Sequence, residues 1–234
     1  MSRNRPIPNI ADDKKAFVRG LVLYEDEFLI AFNKPSGLAV QTRGNRGTSL
    51  DHLLWTFARS NGKRPQLVHR IDAGTSGLIL AGRTKPAIAA LSAEFAGRRV
   101  AKRYLALVSG SVPEAERGIC EIPLLKVGRS VVPGTLEDGA DAARTQWMVR
   151  SRTGTHAFVE ARPETGRMHQ IRAHLAAMGC PILGDHIYGQ KDEQTERLML
   201  HAVGLTLTLP NKKKLALEAP VPDAFDLKRQ ALRL

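Results

Sequence analysis

The sequence predicts an α+β fold. Strand-type segments dominate, they follow one another in meander-like runs, and helix-type segments fall between them at irregular intervals rather than in a βαβ series. A length of 234 residues with 43% apolar content suffices for one or two globular domains with a sizeable core.

Taken in order, residues 1–20 carry five basic and two acidic side chains with two prolines. That composition predicts a mobile basic tail, with residues 21–234 forming one domain. Strands are expected at 21–24, 28–32, 78–81, 100–108, 145–150, 156–161 and 205–209, several of them alternating apolar and polar residues. Leu50, Leu53, Leu54 and Phe57 share a helical face opened by Thr48 or Ser49, and Ile88, Leu91 and Phe95 form another. A third helix is expected to begin near Arg167, with Ile171 and Leu175 turned inward. Segment 124–143, rich in glycine and charge, carries no readable motif and is expected as a loop.

Charge narrows the partners. Thirty-five Lys and Arg against 23 Asp and Glu leave a formal net charge of +12, which favours a polyanion over a neutral ligand. Aromatic residues make up only 5%, too few for an extended stacking platform for single strands. Cys120 and Cys180 are too few and too far apart in sequence for a zinc site or a disulfide framework, so reduced, buried thiols are expected. No apolar run approaches the roughly 20 residues of a membrane span, and Met1-Ser2-Arg3-Asn4-Arg5 lacks the apolar core of a signal peptide. A cytoplasmic location is the expectation.

The chemistry points to residues His69-Arg70-Ile71-Asp72-Ala73-Gly74-Thr75-Ser76-Gly77. One acid stands in a basic segment between Leu67-Val68 and Leu78-Ile79-Leu80, which read as short buried strands. Gly74 and Gly77 permit tight turning and close approach of backbone to a ligand. Asp72 is therefore held on rigid flanks.

That string resembles the active-site motif of the RluA-type pseudouridine synthases, His-Arg-Leu-Asp, two variable residues, then Thr-Ser-Gly; only Ile71 departs. Four further stretches resemble the same family in the same order. They are Phe28-Leu29-Ile30-Ala31-Phe32-Asn33-Lys34-Pro35-Ser36-Gly37; Lys102-Arg103-Tyr104-Leu105-Ala106-Leu107-Val108; Thr165 to Arg172 followed by Gly184-Asp185-His186-Ile187-Tyr188-Gly189; and Leu198-Met199-Leu200-His201-Ala202. The resemblance covers roughly residues 21–222. It implies a central, mostly antiparallel mixed sheet with flanking helices and a basic RNA-binding cleft. Many relatives carry a small N-terminal RNA-binding domain; none is expected here, so the catalytic domain would capture RNA by itself.

What the resemblance implies for Asp72 is a carboxylate that either attacks C1′ of a uridine or abstracts its 2′ proton to give a glycal. Either role needs an ionised acid, which a neighbouring guanidinium favours, and Arg172 is the family's partner for it. Tyr104 holds the family's position for a ring against the target base, although a phenol is a weak base at neutral pH. The target uridine must be extruded from folded RNA, and Arg70 is suited to fill the gap or clamp the nucleotide. His69, Thr75, Arg167, His169, Gln170, Asn33, Lys34, Lys102 and Arg103 complete the expected RNA contacts, although His69 reads more readily as ordering the loop and Asn33-Lys34 as a structural turn. Asp185 reads as a turn or helix cap. Met168 stands where relatives commonly carry Thr. Basic clusters at Arg43 to Arg46, Lys63-Arg64, Arg98-Arg99 and Lys212 to Lys214 would track phosphates, and segment 124–143 would contact the substrate.

The implied partner is structured ribosomal or transfer RNA. No cofactor, metal ion, membrane or obligatory protein partner is called for, and a monomer is expected. The alternative is an inactive RNA-binding or assembly factor on the same fold, which an altered Asp72, Tyr104 or Arg172 would signal; all three are present. A metal-dependent nuclease or phosphotransferase would need clustered acidic ligands or a Gly-rich loop ending in Gly-Lys-Ser/Thr, and neither occurs.

Overall fold

The computed structural model describes residues 8–41, 48–190 and 195–234. Where one domain was expected from residue 21 onward, the chain divides into two compact units: residues through Val100 with Thr206–Ala219, and Ala101–Leu205 with Pro220–Leu234. Each encloses its own apolar cluster, and that is the physical reason for the division.

The first unit contains helix α1 (Asp12–Gly20), strands β1 (Val22–Glu25) and β2 (Leu29–Lys34), helix α2 (Leu50–Leu53) running on as a 3-10 turn over Leu54–Phe57, strands β3 (Gln66–Leu67) and β4 (Ser76–Gly82), and helix α3 (Lys85–Ala96). Strand β2 pairs antiparallel with β1 and β4, and β3 also pairs antiparallel with β4. Strand β4 is buried along its whole length, as its unbroken apolar run requires. Ile30, Phe32, Leu50, Leu53, Leu54, Ile79 and Ala81 form the cluster beneath it. Ser49, rather than Thr48, caps α2 by accepting the His52 N–H at 3.3 Å. Thr84 does the same for α3 through Ala87, with Pro86 in the first turn.

Helix α1 corrects the expected mobile tail over residues 12–20; residues 1–7 lie outside the described residues. Composition hid a narrow apolar stripe. Val18 and the preceding Ile10 are buried in the same cluster, while Asp12 and Asp13 at the helix start and Arg19 in its last turn oppose the helix dipole favourably.

The second unit contains β5 (Ala101–Ser109), β6 (Arg117–Cys120), β7 (Leu124–Val127), β8 (Ser130–Pro133), β9 (Thr145–Thr153), β10 (His156–Pro163), helix α4 (Gln170–Ala177) and β11 (Leu200–Thr208). Strand β12 (Lys214–Glu218) lies in the returning segment of the first unit, and helix α5 (Asp223–Ala231) closes the second. The strand order is β11-β5-β10-β9-β6, with β10 antiparallel to both β5 and β9, and β6 antiparallel to β9. The α+β class with mostly antiparallel strands is as expected.

Segment 124–143 is no simple loop. Strands β7 and β8 form a hairpin whose turn holds Gly128 at φ +59. Its inward side, Leu124 and Val131, packs with Ala143 on Ala173 of α4, beside Met168 and Tyr188. Glycine and charge in the turn masked these alternating apolar positions. Met168, the departure from the family's Thr, fills that apolar cluster. Helix α4 begins at Gln170 rather than near Arg167, because His169 before it adopts a left-handed φ of +52 and so stands outside the helix.

Cys120 and Cys180 are both free and buried. Burial, then the proximity of Cys120, pushes the Cys180 thiol up to about 11, which keeps it protonated and unreactive. Among the described residues no helix is long and apolar enough to cross a membrane.

Helix α5 buries only Phe225, whose ring meets Phe158 edge-on with centroids 6.3 Å apart. Phe225→Ala is therefore expected to lower unfolding stability by about 3–5 kcal/mol, measurable as a lower urea midpoint with little change in slope.

Candidate active site

In the first unit, Asp72 sits between β3 and β4 on a loop tied down from several sides. Lys34, the last residue of β2, is fully buried, and its Nζ donates to the carbonyls of Pro35 (2.8 Å), Leu38 (2.9 Å) and Ala73 (2.8 Å). Three carbonyls thus accept from an ammonium group that carries three hydrogens. Ser36 Oγ donates to Gly74 O at 2.6 Å, and Gly37 N–H to Ala73 O at 2.8 Å. Thr75 N–H closes a turn onto the Asp72 carbonyl at 3.1 Å. The loop's shape is thus set by backbone and buried side chains. Asp72 itself is half-buried, with Arg70 and Ala73 exposed.

These contacts revise three expected RNA ligands. Lys34 and Thr75 are buried, so they shape the loop instead of meeting a phosphate. His69 takes the ordering role: its Nε2 accepts the Leu80 N–H at 2.9 Å, and its ring stacks on Phe95 at 4.2 Å with planes 14° apart. Asn33 is half-buried in β2. Gly77 ends the loop at φ +111, a backbone conformation that only glycine adopts without strain.

In the second unit, Tyr104 is half-buried in β5, packed against the main cluster. Lys102, two residues before it, donates Nζ to Thr165 O at 2.9 Å, just ahead of α4. Arg172 lies on α4, buried, and its Nε and Nη2 form two parallel 2.8 Å bonds to the Asp185 carboxylate. The Tyr188 ring lies under the same guanidinium, 5.2 Å from its carbon. Tyr188 Oη also accepts the Val131 N–H of β8 at 2.9 Å and pairs with His169 Nδ1 at 3.0 Å. One tyrosine therefore ties the hairpin, the start of α4 and Arg172 together.

Asp185 and Tyr188 hold Arg172, a contact that sequence reasoning did not foresee. The string Gly184 to Gly189 marked them, but the fork from Arg172, thirteen positions away, is a tertiary fact. Asp185 does cap its turn as expected, accepting the N–H groups of Ile187 and Tyr188.

Gln170, expected on RNA, is buried and satisfied within the protein. Its Oε1 accepts from Thr165 Oγ1 and Arg167 N–H, and its Nε2 donates to Arg144 O and Thr145 Oγ1. Arg167 bonds Asp141 and the Ala142 carbonyl, both at 3.1 Å, while staying partly exposed. His174, buried, bonds Thr145 and the Ile122 carbonyl; burial depresses its pKa and keeps it neutral.

The basic clusters divide. Arg64 pairs with Asp51 through two bonds and covers Trp55 at 5.2 Å, and Arg99 pairs with Glu94 at 2.8 Å. Lys63, Arg98 and Lys212 to Lys214 are exposed. Arg43 to Arg46 lie outside the described residues.

Burial alone would raise the Asp185 carboxyl; the hydrogen bonds and charge of Arg172, with the two backbone N–H groups, overcome it and hold the group below the ordinary carboxylate value. Glu160 in β10 is similar: burial opposes ionisation, and bonds from Arg150 and Arg162 bring it below its usual range.

Residues 28–177 match the family model described as RNA pseudouridylate synthase. An uncharacterised RNA pseudouridine synthase of Zymomonas mobilis is 38% identical, over 87% of this chain and 94% of that protein. The ribosomal large subunit pseudouridine synthase C of Vibrio cholerae is 35% identical, over 94% of this chain and 72% of that protein. Among solved structures, human RNA pseudouridylate synthase domain containing 4 has a TM-score of 0.79 at 28% identity, covering 95% of this chain and 97% of that one.

Lys34→Met is expected to orphan three carbonyls at about 1–3 kcal/mol each and to loosen the loop. Amide hydrogen exchange at Gly37 and Thr75 should accelerate accordingly; unchanged protection there would contradict the assignment. Because the folded Asp185 carboxyl lies below its unfolded value, its stabilising contribution is complete above pH about 3.8 and is lost as pH falls through the folded value. Acid titration of stability in the parent protein and in Asp185→Asn should therefore converge at the acid end.

Proposed function

The chain belongs to the RNA pseudouridylate synthase family, enzymes that isomerise uridine in RNA, and on that premise we propose that Asp72 is the carboxylate that carries the reaction on a uridine flipped out of structured RNA. The observation that carries this reading is the Asp72 loop: a half-buried acid on a backbone locked by the Lys34 ammonium. A group held in this way needs little reorganisation at the moment of reaction.

The reaction conserves all atoms. The bond from N1 of the base to C1′ breaks, the base turns, C5 bonds to C1′, C5 loses its proton and N1 gains one. Asp72 begins it, by attack on C1′ or by removing the 2′ proton. We assign to Arg172 a positive charge for the same reaction. The paired hydrogen bonds to Asp185 and the Tyr188 ring fix its guanidinium plane, so Asp185 and Tyr188 act through Arg172. Tyr104 is assigned to the ring face of the base and Arg70, exposed beside Asp72, to the space that the flipped nucleotide leaves. The relative from Vibrio cholerae, named for the large ribosomal subunit, favours ribosomal over transfer RNA as substrate.

Incubation with RNA tritiated at uridine C5 tests this directly. The parent protein should release label and Asp72→Asn should release none; equal release by both would remove Asp72 from the mechanism, and release by neither would favour a binding-only protein. Arg172→Met should lower kcat by on the order of 100-fold while the Kd for RNA changes far less, and unimpaired turnover would contradict its role.

A further inference from the structure

A groove of about 470 Å³ opens on the sheet of the second unit, lined by Arg117, Ile119, Gln146, Met148, Glu160 and Arg162 among others. Strand register explains its make-up. Arg117 lies across from Met148 and Met148 across from Glu160; Ile119 lies across from Gln146 and Gln146 across from Arg162. These two cross-strand rows share one face. Ala161, between Glu160 and Arg162, lies across from Tyr104, so the groove is on the face away from Tyr104. It reaches the edge of the sheet, since β6 ends the strand order.

The polar centre of the groove is built rather than scattered. Glu160 is 4% exposed, accepts from Arg150 on one oxygen and from Arg162 Nε and Nη2 at 2.7 and 2.6 Å on the other. It orients two guanidinium groups whose side chains remain 42% and 52% exposed. Arg117 adds a third, exposed. Arg117 and Arg162 line the groove and Arg150 stands beside it on Glu160; the Glu164 carboxylate that accepts from Gln146 is itself paired with Arg144, so the site is net positive, and Met148 with the half-exposed Ile119 supplies an apolar floor.

We propose that this groove is a second RNA-contact site, in which Arg117, Arg150 and Arg162 take phosphates of a strand passing over the β6 edge while a base or ribose packs on Ile119 and Met148. RNA is the partner of matching charge for a chain of net charge +12, and the groove lies in the size range of small-ligand pockets, room enough for a nucleotide. Arginine suits the task because its planar fork can hold a carboxylate with some N–H groups and a phosphate with others. Glu160 is a positioning residue here. The inference rests on RNA being the substrate but not on the role of Asp72.

The test uses a bacterial large-subunit ribosomal RNA transcribed with 4-thiouridine. Irradiation with the full-length protein should crosslink peptides containing residues 117–119 or 146–150. Arg117→Glu, an exposed change on the edge strand that leaves the Glu160 pairs intact, should weaken binding about tenfold and lower the salt slope by about one, whereas Arg117→Lys should bind nearly as the parent does. Crosslinks confined to other strands, or equal affinity and slope for Arg117→Glu and the parent, would overturn the proposal. Crosslinks at these peptides without tritium release from the parent would instead uphold this site and count against the assignment of Asp72.

Discussion

A single buried ammonium organises the most reactive-looking stretch of this chain. Lys34 has lost all contact with solvent, a state that is costly for a charge unless every donor finds an acceptor. Its three carbonyl partners come from the turn after β2 and from the loop that carries Asp72. The same interaction therefore folds one turn and positions the other. Backbone contacts at Ala73, Gly74 and Thr75 hold the loop immediately after Asp72.

The second unit repeats this logic with other groups. Arg172 is oriented by the Asp185 fork and the Tyr188 ring, and Gln170 by four hydrogen bonds around the start of α4. Glu160 holds Arg150 and Arg162 in the same manner on the opposite sheet face. In each case a buried polar residue and its partners fix one another's geometry, because an unpaired polar group is costly in a low-dielectric surrounding. Several residues expected to touch RNA are buried in the protein. Lys34, Thr75 and Gln170 share that fate.

The Tyr188 hydroxyl gives the arrangement a further property. It joins the β7–β8 hairpin to the segment bearing His169 and Arg172. The hairpin carries exposed Val127 and Val132 on its outer side, so whatever settles against it bears on a backbone that Tyr188 connects to Arg172.

Local sequence determined the strand-rich α+β class, the buried β4 run, a cap at Thr48 or Ser49, and the prominence of Asp72, Tyr104 and Arg172, since periodicity, capping chemistry and ordered motifs are encoded within a few neighbouring residues. It could not reveal α1, which buries only Val18 among charged neighbours, nor the β7–β8 hairpin, whose faces are defined by packing on α4. Which polar side chains are buried, and on what partners, was decided only by tertiary structure. Lys34 meeting Ala73, Arg172 meeting Asp185 and Glu160 gathering two arginines are encounters between distant positions, and burial, which sets their energetic weight, exists only once the chain has folded.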